Sequence, residues 1–275
     1  MSGGRASTQA ALVDTPQYRD VVMQHSIVLE TGDSSSRPDV TQHGAGALAR
    51  RAIMAAFGVS LFWDVHERAA DLRLPLPVGR KRRERLDLVR GRHVLFIHVP
   101  KNAGTSISNV LYGRSLRHET IRYYRHIDPS LNVPSFALWR DPVERFLSAF
   151  RFGRQGGGRL VRMAPVFAAQ YRTLNTLDDA IAYVGARLHT PYRLDHVFRP
   201  QAWYVTDRHG ALAVDRLIDM RALDRITHLV PGLDGLSIPH LNETGADRIS
   251  ATPEQAARIR ALYQVDEALR AHLSA

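Results

Sequence analysis

Lysine occurs at only two positions among the chain's 37 lysines and arginines, Lys81 and Lys101. Where arginine is so favoured, a lysine whose chemistry a guanidinium could supply should have been replaced, so Lys101 reads as chosen for its compact ammonium. It opens the turn of VLFIHVPKNAGTSISNVL, residues 94–111. This is an apolar β-branched run, then a Pro-Lys-Asn-Ala-Gly turn, then a helix opening on Thr105 and Ser106. A strand, loop and helix N-terminus in that order concentrate backbone N–H groups and the positive end of a helix dipole, which favours a phosphate or sulfate. The expected anion-binding residues are Pro100, Lys101, Asn102, Ala103, Gly104, Thr105 and Ser106. The order differs from the Walker A loop, whose lysine follows its second glycine; here Lys101 precedes Gly104. An ordinary turn with a solvent-exposed lysine is the alternative.

A second junction follows in SFALWRDPVERFLSAFRF, residues 135–152. The apolar run ends at Arg140, and Asp141 as N-cap, Pro142 at the first helical position and Glu144 in the first turn predict a strong helix start. Arg140 and Ser148 could reach one anion if the helix turns back over the sheet edge; otherwise Arg140 pairs locally with Asp141 or Glu144.

Together the two segments resemble the sulfotransferase family, specifically the carbohydrate sulfotransferase branch and its bacterial relatives. FIHVPKNAGTSI resembles that family's loop for the 5'-phosphosulfate of 3'-phosphoadenosine-5'-phosphosulfate (PAPS), and WRDPVERFLSAF its 3'-phosphate motif. Weaker echoes lie in RHETIRYYR (117–125), DHVFRPQAWY (195–204) and IPHLNET (238–244), so the resemblance covers roughly residues 91–270. It implies a P-loop-NTPase-like α/β fold, with a central parallel sheet and helices on both faces, and PAPS as sulfate donor without a metal. Asn102 stands where the family commonly has a hydroxyl residue. Gly156, Gly157 and Gly158 fall where relatives carry varied, substrate-facing insertions, which leaves the acceptor open: a hydroxyl on a small molecule or glycan.

Sulfuryl transfer of this kind relies on positioning and electrostatic stabilisation. Lys101 suits the charge developing on the bridging oxygen, and a neutral base must take the acceptor's proton. Alignment of the motifs points to His118 as that base, with Glu119 as understudy and His126 nearby; His196 reads as structural or acceptor-contacting.

A formal net charge of +10 suits an anionic cofactor, although arginine bias alone can produce it, and no cysteine is present for disulfides, thiolate metal sites or nucleophiles. The 13 histidines hold no HxxxH or HExxH pattern, so no metal is expected. The first residues lack the pattern of a secretory signal, and the longest apolar run, Ala52 to Trp63, is well short of the roughly 20 residues a membrane helix needs. A cytoplasmic protein is therefore expected.

The organisation reads as a flexible tail (1–44), a helical extension with a basic linker (45–90) and the sulfotransferase domain (91–275). One helix is expected from Ala47 to Leu72, with Ile53, Phe57, Leu61 and Val65 on a stripe; Arg80 to Arg83 read as a solvated linker or helix face. Strands are expected at 93–99, 135–139, 196–206 and 212–218. Helices are expected at 104–113, 142–153, within 160–187 and from Pro253 behind Thr252. The rivals are a P-loop kinase, opposed by the lysine order and the lack of an obvious acidic strand end for magnesium, and a non-catalytic anion or nucleic-acid binder. The latter lacks the aromatic-interleaved basic patch of single-strand binders, so no nucleic-acid partner is expected.

Overall fold

The computed structural model describes residues 45–158, 163–230, 233 and 249–274. The expected tail at 1–44 and the IPHLNET echo at 238–244 lie outside them.

Three strands, β1 (Leu95–Ile97), β2 (Ser135–Trp139) and β3 (Arg216–Asp219), form a parallel sheet in the order β1-β2-β3. Leu95 lies opposite Ser135, and Trp139 opposite Asp219. Every residue of β1 and β2 is buried, as expected of strands packed between layers, so these segments read as continuous apolar runs rather than alternating ones. Helices flank the sheet, and the class is α/β.

Ahead of β1 come α1 (Ala45–Phe57), α2 (Asp64–Asp71) and α3 (Arg80–Arg92). The single helix expected from Ala47 is broken at Gly58, whose φ of 65° is left-handed. The stripe is thereby split: Leu61 and Val65 are buried, whereas Ile53 is exposed. The basic run at Arg80 is the first turn of α3, which buries Arg85, Leu86 and Val89 on its inner side.

Between β1 and β2 lie α4 (Gly104–Tyr112) and α5 (Ile121–Ile127), the latter capped by Thr120, which accepts from the N–H of Tyr123. After β2 come α6 (Pro142–Arg154), α7 (Pro165–Tyr171), α8 (Leu177–Gly185) and α9 (Gln201–Val205). Phe146, Phe150, Phe167, Tyr171, Ile181, Val184 and Ile259 share a second apolar cluster beside the one around the sheet. Beyond β3 are α10 (Ile226–Leu229), α11 (Pro253–Leu262) and α12 (Gln264–Ala268). Thr252 and Gln255 close the capping box of α11.

Two strand expectations need correction. Residues 196–206 are helical, a short 3-10 turn (His196–Phe198) followed by α9. Asp195 caps the first and Pro200 precedes the second, while the Asp266 carboxylate accepts the N–H groups of Gln201 (2.9 Å) and Ala202 (2.8 Å). The strand expected at 212–218 begins only at Arg216; Leu212 makes an isolated bridge to Thr206.

Candidate functional site

Both singled-out segments leave the sheet at its carboxyl end, where ligands bind in open α/β sheets. After β1 the chain turns through Lys101 (φ 68°) and Ala103 (φ 56°), two non-glycine residues in the left-handed region. Each such residue costs about 1–2 kcal/mol. The cost is offset by side chains that fasten the turn. Asn102 donates from Nδ2 to Leu138 O and to Gln201 Oε1, both at 2.7 Å. Buried Arg145 donates to Pro100 O (3.1 Å) and Arg140 to Lys101 O (3.1 Å). Asn102 thus anchors the loop, and its side-chain donors are spent on the protein rather than offered to an anion.

Ala103 is the N-cap of α4 and supplies no capping side chain. Among the described residues no partner is seen for the N–H groups of Gly104 and Thr105, whereas Ser106 N bonds back to Ala103 O at 3.2 Å. Those N–H groups are the orphan donors of a helix start. Gly104 is required by contact: a Cβ there would lie 2.0 Å from His98 Cδ2. Thr105 is half-buried and Ser106 buried.

Arg140 follows β2 directly, and α6 starts as read, with Asp141 accepting from Val143 N and Glu144 N and Pro142 in the first turn. Gln201 bridges the two junctions. Its Oε1 accepts from Asn102 Nδ2 and from Arg140 N (3.0 Å), and its Nε2 donates to Arg140 O (2.8 Å). Arg140 Nε lies 3.5 Å from Glu144 Oε2, so the local pairing exists, yet among the described residues no hydrogen bond is seen for that buried Nε or for Arg151 Nε.

Arg145 reaches the loop at Pro100 O, and Phe152 carries Lys101 Nζ over its ring, 4.5 Å from the centroid. Ser148 lies three residues after one and four before the other, so it shares the face of α6 turned to the loop. Lys101 thus sits with Arg140, Arg145 and Arg151. Burial, then the charges of Arg140, Arg151 and Arg145, lower its pKa to about 8. Burial also holds Arg140 below its ordinary value. Gly156 (φ 69°) and Gly157 (φ 127°) turn the chain at the end of α6, with Gly157 N bonded to Phe152 O. The glycine segment therefore adjoins the ring that holds Lys101.

Beside the loop three histidines stand in file. The ring centroids of His98 and His118 are 4.1 Å apart, and those of His118 and His196 are 4.9 Å apart. His118 Nδ1 lies 2.8 Å from His98 O. Because a carbonyl only accepts, the proton is on Nδ1 and Nε2 is left as the basic nitrogen. Burial and the neighbouring His98 and His196 push the His118 pKa well below normal; burial takes His98 to about 4. His196 Nδ1 lies 2.6 Å from Asp195 Oδ1. Burial works against that carboxylate's charge, but His196 and the N–H of Val197 keep its pKa low.

Glu119 is buried 3.7 Å from Arg85 of α3, and no contact to the loop is seen among the described residues. His126 Nε2 lies 3.1 Å from Leu74 O, at the far end of α5. The structure thus brings Lys101 and Arg140 together with His118 beside them, puts Ser148 on the helix face that spacing turns to the loop, and leaves Glu119 and His126 outside.

Sequence reasoning passed over Arg145, Arg151, Phe152 and His98. It marked the 195–204 stretch without assigning Gln201 a task. An acidic strand end also exists, Asp219, but its carboxylate caps Arg221 N (2.9 Å) and pairs with the Arg221 guanidinium (2.7 Å).

The molecule is thus an α/β protein whose parallel sheet carries a cationic strand–loop–helix junction at its carboxyl edge. The chain matches no protein-family model, no curated protein and no solved structure.

Proposed function

We propose that the chain is a PAPS-dependent sulfotransferase acting on an acceptor hydroxyl, on a carbohydrate or glycoconjugate. The observation that carries this reading is the joining of Lys101 and Arg140, 39 residues apart, by the Arg140 bond to Lys101 O and by the Gln201 bridge. Two anion positions side by side suit a donor bearing separate phosphate and phosphosulfate groups. The residues fit such a guest: Arg140 Nε and Arg151 Nε are buried with no hydrogen bond among the described residues, and burial, then the charges of Arg140, Arg151 and Arg145, depress the Lys101 pKa.

Bound there, PAPS would supply a sulfuryl group on a phosphate leaving group. The start of α4 and Lys101 would hold the 5' end, with the ammonium neutralising charge on the bridging oxygen. Arg140 and Ser148 would hold the 3'-phosphate. His118 Nε2 is the nitrogen left to accept the acceptor's proton, its ring oriented by the His98 carbonyl. The half-buried Phe152 ring lies against one side of Lys101. The kinase alternative needs an open carboxylate for magnesium, and the Asp219 carboxylate is taken by Arg221.

The test is thermal unfolding with adenosine 3',5'-bisphosphate and, separately, with ATP and magnesium. At a hundred times its Kd, a ligand of the native state stabilises by about 2.7 kcal/mol. Stabilisation by the bisphosphate without metal, lost in Arg140→Ala and in Ser148→Ala, is the expected result. Indifference to it, or a response to ATP and magnesium alone, defeats the proposal.

A further inference from the structure

At the opposite end of the sheet a concavity of about 480 Å³ is lined by Arg73, Arg122, Arg125, His126, Arg208 and His209, with Ile121, Pro129, Asp207 and Ala213 completing its wall. Pro129 precedes β2 and Ala213 precedes β3, so the groove adjoins the strands' amino ends, while the Lys101 loop and Arg140 leave from the carboxyl ends.

The charge in this groove is unbalanced. Among the described residues, only Arg122 of its four guanidiniums has a carboxylate, Asp71 at 2.9 Å; its other donors go to Trp203 O and Thr206 O. Asp207, the one acid of the wall, uses one carboxylate oxygen to accept the N–H groups of His209 and Ala211. Arg73, Arg125 and Arg208 have no carboxylate partner among the described residues.

Two of these three are held in place nonetheless. Arg125 Nη2 donates to Ala213 O at 2.7 Å and Arg208 Nη2 to Ala70 O at 2.6 Å. Each fork is braced at one corner by a backbone carbonyl, and no partner is seen for its remaining N–H groups among the described residues. A guanidinium fixed in this way loses less freedom on binding than a swinging surface arginine. The third, Arg73, sits just past the end of α2 in the left-handed region (φ 58°), a place glycine normally fills.

We infer that this groove is a binding site for a compact ligand bearing two or more phosphate or sulfate groups, separate from the PAPS site proposed above and independent of that proposal. Forked donors at several corners of one concavity match clustered tetrahedral oxyanions. The wall carries no Phe, Tyr or Trp, its only rings among the described residues being the two histidines, which disfavours single-stranded nucleic acid as the occupant. The volume lies within the range of small-molecule pockets.

The test is calorimetric titration of the full chain with sodium tripolyphosphate and, in a second arm, with a trisulfated disaccharide; the tighter of the two identifies the ester. One equivalent should bind. Arg125→Gln/Arg208→Gln should raise Kd at least ten-fold, whereas the exposed control pair Arg51→Gln/Arg92→Gln should change it less than two-fold. The Lys101→Ala/Arg140→Ala chain should bind tripolyphosphate as the parent does, whether or not the parent binds adenosine 3',5'-bisphosphate. Equal weakening in the control pair means diffuse attraction to a basic surface and overturns the inference, as does loss of binding in Lys101→Ala/Arg140→Ala. An oligonucleotide that binds more tightly through the same two arginines overturns the assigned ligand class. Both substituted pairs are exposed, and unchanged melting curves verify that they fold.

Discussion

If Lys101 receives a phosphate-bearing ligand, its affinity must depend on pH in a way a guanidinium would not reproduce. Without ligand the ammonium is crowded by burial and by Arg140, Arg151 and Arg145, which bring its pKa to about 8 against an ordinary 10.5. A dianion seated against it reverses that crowding and returns the pKa at least to the ordinary value. The protonated form then binds, and above pH 8 binding must recruit a proton. Linkage between these two pKa values predicts that the Kd for adenosine 3',5'-bisphosphate rises about ten-fold from pH 7 to pH 9, near 1.4 kcal/mol. The ligand does not blur the measurement, because phosphate monoesters lose their second proton near pH 6. Calorimetry at pH 8 in buffers of different ionisation enthalpy should register an uptake of about half a proton per ligand bound. Lys101→Arg keeps its charge throughout this range, so its Kd should be flat and its proton uptake near zero. A flat profile in the parent, or an equal slope in Lys101→Arg, refutes the reasoning.

Gly104→Ala places a methyl group 2.0 Å from His98 Cδ2; overpacking of this kind costs about 1–3 kcal/mol, measurable in urea, and bisphosphate affinity should fall as the His98–His118 pair shifts. Asn102→Ala removes the donor to Leu138 O and Gln201 Oε1; a loss of about 1–3 kcal/mol in urea unfolding is expected, again with weaker bisphosphate binding. Glu67 receives the N–H and hydroxyl of Thr120, and burial raises its pKa to about 8 from 4.5. A carboxyl raised in the native state binds protons that the unfolded chain has released, so its contribution falls as pH rises from 4.5 to 8, by at most about 1.4 kcal/mol per pH unit. Unfolding curves of Glu67→Gln should lack that slope and show a gain over the parent at pH 8; an unchanged slope would remove Glu67 as its source.

Both strand–helix junctions could be read from the sequence because their signals are local. Asp141 and Pro142 start α6 by their own chemistry, and β1 and β2 declare themselves as unbroken apolar runs. Residues 196–206 misled because Val197, Phe198, Tyr204 and Val205 favour a strand, whereas the carboxylate that caps α9 comes from Asp266, 65 positions away. Nothing within the segment announces such a partner. Helix α3 was obscured for another reason: its buried face is narrow, Leu86 and Val89 beside a buried Arg85, and the surrounding charges hide the period. Of the site, Lys101 stood out through rarity and Arg140 through position. Arg145 and Arg151 were lost among many arginines, and the histidine file joins residues from three separate segments.

The Gln201 bridge also has a bearing on how the protein is made. Gln201 holds the Lys101 loop and Arg140 together, and is itself held by Asp266, which takes its N–H and that of Ala202. A chain still leaving the ribosome carries both strand–helix junctions by residue 154 but lacks this strut until residue 266 has emerged. The junction is therefore completed only once residue 266 is available, and a truncated product that keeps both motifs but stops before α12 would be missing the clasp that sets them side by side.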